Sequence, residues 1–188
     1  GEVIYLKGYG YSDSEKKVPV TENTVFQVAS ISKPVTAWGI MNLVEEGKLE
    51  LDAPISMYLK RWELPASEFD ADGVTTRRLL SHTAGINNVG GGYAGFLSEE
   101  TMQTLEDSLA SAKDANEEGI RIVYQPGTKH SYSGGGYTIL QLLIEEISGL
   151  PFETYMKNEI LTPLKMYHSD FAFSPIIEKD LSVVYGAN

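Results

Sequence analysis

The chain has 188 residues, which fits the roughly 100–200 residues of one domain. Asp and Glu outnumber Lys and Arg by 26 to 15, and the net charge of −11 excludes the basic face that a nucleic acid or an anionic lipid surface requires. The absence of cysteine excludes disulfide frameworks, thiolate metal sites and cysteine nucleophiles.

Residues 3–11 alternate loosely, with Val3, Ile4 and Tyr5 ahead of Gly8 and Gly10, and predict a strand. The first six residues lack the basic start and long apolar core of a signal peptide. Ser12 to Val18 reads as a polar turn, and Val25 to Ala29 as a short apolar run into Ser30. From there Ile31, Val35, Trp38, Met41 and Val44 recur at helical spacing. Pro34 suits the first turn of that helix and Gly47 its stop. Leu51 to Leu59 predicts a short segment, and Thr75-Thr76 a cap for Arg77-Arg78-Leu79-Leu80. Asn87 to Gly95 must be loop, and Ser98-Glu99-Glu100 opens a helix towards Ala112. After the turn at Gln125-Pro126-Gly127, Tyr137 to Ile147 forms a strongly apolar helix ended by Gly149. Pro151 starts another helix through Leu161, and the tail from Ser174 has little pattern. No apolar run approaches the roughly 18–20 residues of a membrane span.

Three segments carry chemistry. In Ser30-Ile31-Ser32-Lys33 the first and fourth residues share one helix face, so the Lys amine can reach the Ser hydroxyl. The helix N-terminus favours an alkoxide and a developing oxyanion. Burial beside Val28 and Trp38 is expected to lower the Lys pKa and free a base. The plain alternative is a Ser N-cap with a surface Lys. The second segment, Lys129 to Tyr137, holds Tyr132 ahead of three glycines, where a phenol can move a proton or simply pack on the core. No G-K-[S/T] follows either glycine cluster, so a phosphate loop is excluded. The third, Leu79 to Gly85, pairs Ser81 with His82, but no G-x-S-x-G elbow is present, and His82 reads as a structural hydrogen-bonder. His82, His130 and His168 lack zinc spacing. Asp70-Ala71-Asp72-Gly73 has too few ligands for calcium, and no glycosidase carboxylate pair stands out.

Together these segments resemble the serine β-lactamase and penicillin-binding-protein superfamily, in its class C β-lactamase-like branch with D,D-peptidases, D-amino-acid peptidases and family VIII esterases. The similarity runs through Lys7-Gly8-Tyr9-Gly10, Phe26 to Lys33, Leu79 to Gly85, Pro126 to Ser133 and Pro163-Leu164-Lys165-Met166, in the family's order. It implies a multi-domain α+β fold, the β-lactamase/transpeptidase-like one, with a helical domain against an antiparallel sheet. Residues 1–29 would belong to the sheet domain, and residues 30–188 to the mostly helical domain. The resemblance implies that Ser30 is acylated, that Lys33 takes its proton and that Tyr132 passes a proton to the leaving group. It places Ser133 and Gly134 at the substrate. Gly134 stands where the family's Y-x-N motif has Asn, whose amide helps hold substrate and Lys, so small esters and amides stay open beside β-lactams and peptides. The implied reaction needs no metal or organic cofactor, and its partner is a small-molecule or peptide acyl substrate. A catalytically weak binding or sensor protein of the same fold is the other class. The family's first strand and its late K-T-G or H-x-G strand find no match in this sequence. The expectation is therefore a fragment, inactive alone, that a second chain or a C-terminal segment would complete. The resemblance and the lack of cysteine point to a periplasmic or secreted protein, with a cytoplasmic one left open.

Overall fold

Regular structure begins with a short hairpin, in a computed structural model that describes residues 2–88, 104–110 and 119–185. Strand β1 (Tyr11–Asp13) pairs antiparallel with β2 (Val18–Pro19). The Asp13 carboxylate accepts from the Lys16 backbone N–H at 2.8 Å and so closes the turn between them. The strand expected over residues 3–11 is thus confined to its end. A strand exists through its partner's hydrogen bonds. Among the described residues none lies alongside residues 3–6, whose side chains Val3, Ile4, Tyr5 and Leu6 stay 64–94% exposed.

The helices follow in chain order. α1 spans Ser32–Glu45, α2 Thr76–Leu80, α3 Leu105–Ala110 and α4 Gly134–Ser148. α5 (Phe152–Tyr155) runs on into a wider π turn, Met156–Leu161. α6 (Pro175–Asp180) closes the series. The loop expected from Asn87 to Gly95 is described only to residue 88. The helix start at Ser98 lies outside the described residues, although α3 falls within the helix expected there.

α4 is the centre. Its Ile139, Leu140, Leu142, Leu143 and Ile144 are fully buried, each contributing about 1.5–3 kcal/mol by leaving water. α1, α2, α3 and α5 all pack against it. Gly149 ends α4 at φ 70°, a left-handed position that suits a residue without Cβ. Gly39 has a different reason. A Cβ there would stand 2.6 Å from Met156 Sδ, so the glycine lets that side chain pack directly on the α1 backbone. Tyr155 fastens the same contact by donating its hydroxyl to Gly39 O at 3.1 Å.

The tail holds more order than its sequence suggested. Ser174-Pro175 is a helix start, with proline at the first helical position. After α6, Leu181 pairs in parallel with Val25, the residue that leads towards Ser30. Two backbone bonds of 2.8 Å, Val25 N to Asp180 O and Ser182 N to Val25 O, tie the tail to that segment. Among the described residues no helix is long and apolar enough to cross a membrane.

Candidate active site

Ser30 lies in a single 3-10 turn, Ala29–Ile31, directly before α1. The helix proper starts two residues later than its spacing suggested. Ala29 holds φ 44°, a left-handed conformation that costs energy for a residue with a Cβ. No side chain caps the turn or α1. The Ser30 hydroxyl is therefore not an N-cap, which sets aside the plain reading of this motif.

That hydroxyl meets two other groups. Ser30 Oγ is 2.8 Å from the Tyr132 hydroxyl. It also accepts from Lys33 Nζ at 3.1 Å, one helical turn on. Val28 and Trp38, expected to bury the amine, are themselves about half exposed. Two rings surround it instead. Lys33 Nζ lies 5.0 Å from the centre of the Tyr132 ring and 5.5 Å from that of Tyr137, within cation–π range. The Lys33 amine, and after it the bond to Ser30, hold the Tyr132 phenol below its ordinary pKa. A phenol so placed gives up its proton more readily than a free one, and the phenolate it leaves is a general base.

Tyr132 is positioned from behind. The Ser131 N–H donates to His82 O at 2.8 Å, and the Ser133 N–H donates to His82 Nδ1 at 3.2 Å. The imidazole also lies against the phenol, with ring centres 4.5 Å apart. His82 is thus the structural hydrogen-bonder its setting suggested, and the residue it holds is Tyr132.

Ser133 and Gly134 sit beside Tyr132 but use their polar groups differently. The Ser133 side chain is buried. Its hydroxyl donates to Asn87 O at 2.7 Å and accepts from Gly136 N at 3.0 Å, capping α4. The hydroxyl expected near substrate therefore faces the cap rather than the cleft. The Gly134 N–H donates to Asn88 Oδ1 at 3.1 Å. A carboxamide from another segment thus stands next to the position where the Y-x-N motif would place its own.

Three residues escaped sequence reasoning. Asn87 has its side chain consumed by Gly119 O and Arg121 N and its carbonyl by Ser133. Asn88 reaches Gly134, and Tyr137 covers Lys33. The paired asparagines just after Leu79 to Ile86 were the only available signal. Gly135 explains part of the glycine run, because a Cβ there would collide with Ile120. A cavity of about 530 Å³ lies against the nucleophile segment, lined by Phe26, Val28, Ala29 and Ser32 and by Phe171 and Ile177 of the tail. Ser30, Lys33 and Tyr132 do not line it.

A family model described as Beta-lactamase matches residues 1–188. Penicillin-binding protein 4* of Bacillus subtilis (strain 168) is 32% identical over 88% of this chain. The chain spans only 35% of that protein's length. Among solved structures, the octameric penicillin-binding protein homologue from Pyrococcus abyssi superposes with a TM-score of 0.76 at 34% identity, covering 96% of this chain and 41% of its own. The D-amino acid amidase from Ochrobactrum anthropi SV3 superposes with a TM-score of 0.61 at 25% identity, covering 84% and 41%. These neighbours carry the β-lactamase and penicillin-binding-protein fold. The helices that bring Ser30, Lys33 and Tyr132 together are the part of that fold described above. The chain belongs to the beta-lactamase family, within the superfamily of serine β-lactamases and penicillin-binding proteins.

Proposed function

We propose that the protein is a serine acyl-transfer hydrolase, with Ser30 as nucleophile and an ester, amide or β-lactam carbonyl as substrate. The observation that carries this reading is the Ser30 hydroxyl, held at 2.8 Å from Tyr132 OH and 3.1 Å from Lys33 Nζ while capping nothing. Tyr132 is the first proton acceptor in this reading, since the Lys33 amine holds its phenol below the ordinary pKa.

Each proton then has a destination. Ser30 Oγ bonds to the carbonyl carbon as its proton passes to the Tyr132 phenolate. The bond to the leaving atom breaks, and Tyr132 returns the proton to that atom. Water adds to the acyl carbon and loses its proton by the same route. The ester bond breaks and Ser30 recovers its proton. Lys33 Nζ, 3.1 Å from Ser30 Oγ and 5.0 Å from the centre of the Tyr132 ring, steadies the phenolate. The kinship with a D-amino acid amidase and with penicillin-binding proteins supports amino-acid amides and β-lactams as the first substrates to try.

The test is covalent labelling. The natural full-length protein is incubated with a fluorophosphonate probe and a fluorescent penicillin, and the modified peptide is located by mass spectrometry. The adduct is expected on Ser30 and lost in Ser30→Ala, whereas undiminished labelling of Ser30→Ala sinks the assignment. Gly134 favours a second reading, in which the acyl group is trapped and the protein acts as a sensor. Multiple turnover of a p-nitrophenyl ester would eliminate it.

A further inference from the structure

We propose that His82 is a positioning residue for Tyr132 that works only as the neutral imidazole, so that acylation of Ser30 is switched off when His82 takes a proton. The inference rests on the acyl-transfer reading above and adds a residue and a pH dependence to it.

The argument begins with the backbone. Helix α2 ends in a Schellman arrangement. The His82 N–H bonds to Leu79 O at 3.2 Å and the Thr83 N–H to Arg78 O at 2.8 Å. The residue between those two bonds must be left-handed, and His82 is, at φ 57°. Glycine is the usual occupant of this position, as Gly149 is at the end of α4. A side chain is retained here against its conformational cost. That side chain has a specific use.

The use is a two-point clamp. One residue receives the N–H groups on both sides of Tyr132, Ser131 through its carbonyl and Ser133 through Nδ1. Its ring supplies a third contact, 4.5 Å from the phenol ring centre. The Ser133 bond requires a lone pair on Nδ1, and the imidazolium has none. Protonation turns Nδ1 into a donor facing a donor, and Ser133 is forced away. Tyr132 is the next residue, and its hydroxyl has only 2.8 Å to Ser30 to maintain.

The surroundings favour the neutral form. Lys33 comes from α1, Tyr137 from α4, and His130 and Tyr132 from the segment before α4. These are the titratable groups that face His82. Burial, then the His130 and Lys33 charges, hold its pKa below the ordinary histidine value. The neutral clamp is therefore complete above about pH 6.5 and is lost as the pH falls through the lowered value.

The test compares Ser30 acylation rates by the fluorophosphonate probe from pH 4.5 to 9 in the natural full-length protein, in His82→Gly and in His82→Asn. Glycine fits the left-handed backbone and removes the acceptor. At pH 8 this variant is expected to acylate about 10- to 100-fold more slowly, with its thermal midpoint showing that it is folded. Asparagine also tolerates this backbone and offers Oδ1 close to the place of Nδ1, but it does not titrate. Asparagine is expected to restore most of the rate lost in His82→Gly and to leave an acid limb shallower than that of the wild type, set by Tyr132 ionisation alone. The inference is overturned if the acid limb of His82→Asn coincides with that of the wild type, or if folded His82→Gly acylates at the wild-type rate. Either result leaves Ser30 as the nucleophile. Absence of any Ser30 adduct in the wild type overturns the acyl-transfer reading, and this inference with it.

Discussion

Ser30 and Ser133 each stand just ahead of a long helix, α1 and α4, and the two serines do opposite work. Ser133 is buried, with its hydroxyl spent on Asn87 O and Gly136 N, and it behaves as a cap. Ser30 is exposed, caps nothing, and gives its hydroxyl to Lys33 and Tyr132. The difference arises in the backbone before each residue. Ser133 sits in extended conformation, ψ 120°, from which its side chain folds back onto the helix start. Ser30 lies inside a turn forced by the left-handed Ala29, which places its side chain outside the cap position. A serine becomes available for chemistry here because the fold declines to use it for structure.

The contrast can be broken most sharply at Ser30. Ser30→Ala is expected to remove covalent labelling entirely, while the thermal midpoint stays within about 1–2 °C of wild type, because no cap is lost. Tyr132→Phe comes next. It keeps the ring over Lys33 but not the proton acceptor, and acylation should fall about 10²- to 10⁴-fold in stopped-flow measurement. Ser133→Ala inverts the pattern. It should cost about 1–2 kcal/mol of unfolding free energy in urea titration, since it deletes a cap and leaves Asn87 O short of a donor. If Ser133→Ala lost labelling as completely as Ser30→Ala at full stability, the division of roles would be wrong.

The smallest effect is expected far from both serines, at Asp13. The Lys16 N–H, helped by the Tyr185 hydroxyl and the Lys16 ammonium, holds this carboxylate below its usual range in spite of burial. Its contribution to stability is therefore present above the ordinary Asp value of about 3.9 and lost as the pH falls through the lowered one. Asp13→Asn should flatten that acid loss in thermal midpoints measured from pH 2 to 7, without touching acylation.

The two serine environments were unequally legible in the sequence. Ser30, Lys33 and Tyr132 could be named as a group from motif order, and the structure brings their polar atoms together. α4 was legible because five fully buried Leu and Ile residues leave a dense apolar pattern. The cap at Ser133 was not recognised as such, since three glycines follow it and glycine is a poor helix former. Those glycines serve contacts from residues distant in sequence, among them Ile120 against Gly135 and Asn88 against Gly134. No local spacing records such contacts. The strand expected over residues 3–11 failed for a related reason. Alternation shows that residues suit a strand, but pairing needs a neighbour that the sequence does not mark.

The His82 clamp also has a kinetic consequence. The amide protons of Ser131 and Ser133 both end on one residue, while the amide between them belongs to Tyr132. While His82 is neutral, opening of the end of α2 frees both protons together, and that helix is anchored through the bidentate Arg77–Asp52 pair and the Thr75 cap. At pH 8 hydrogen exchange at these two amides should follow a single rate, and that rate measures how often the protein sets Tyr132 loose.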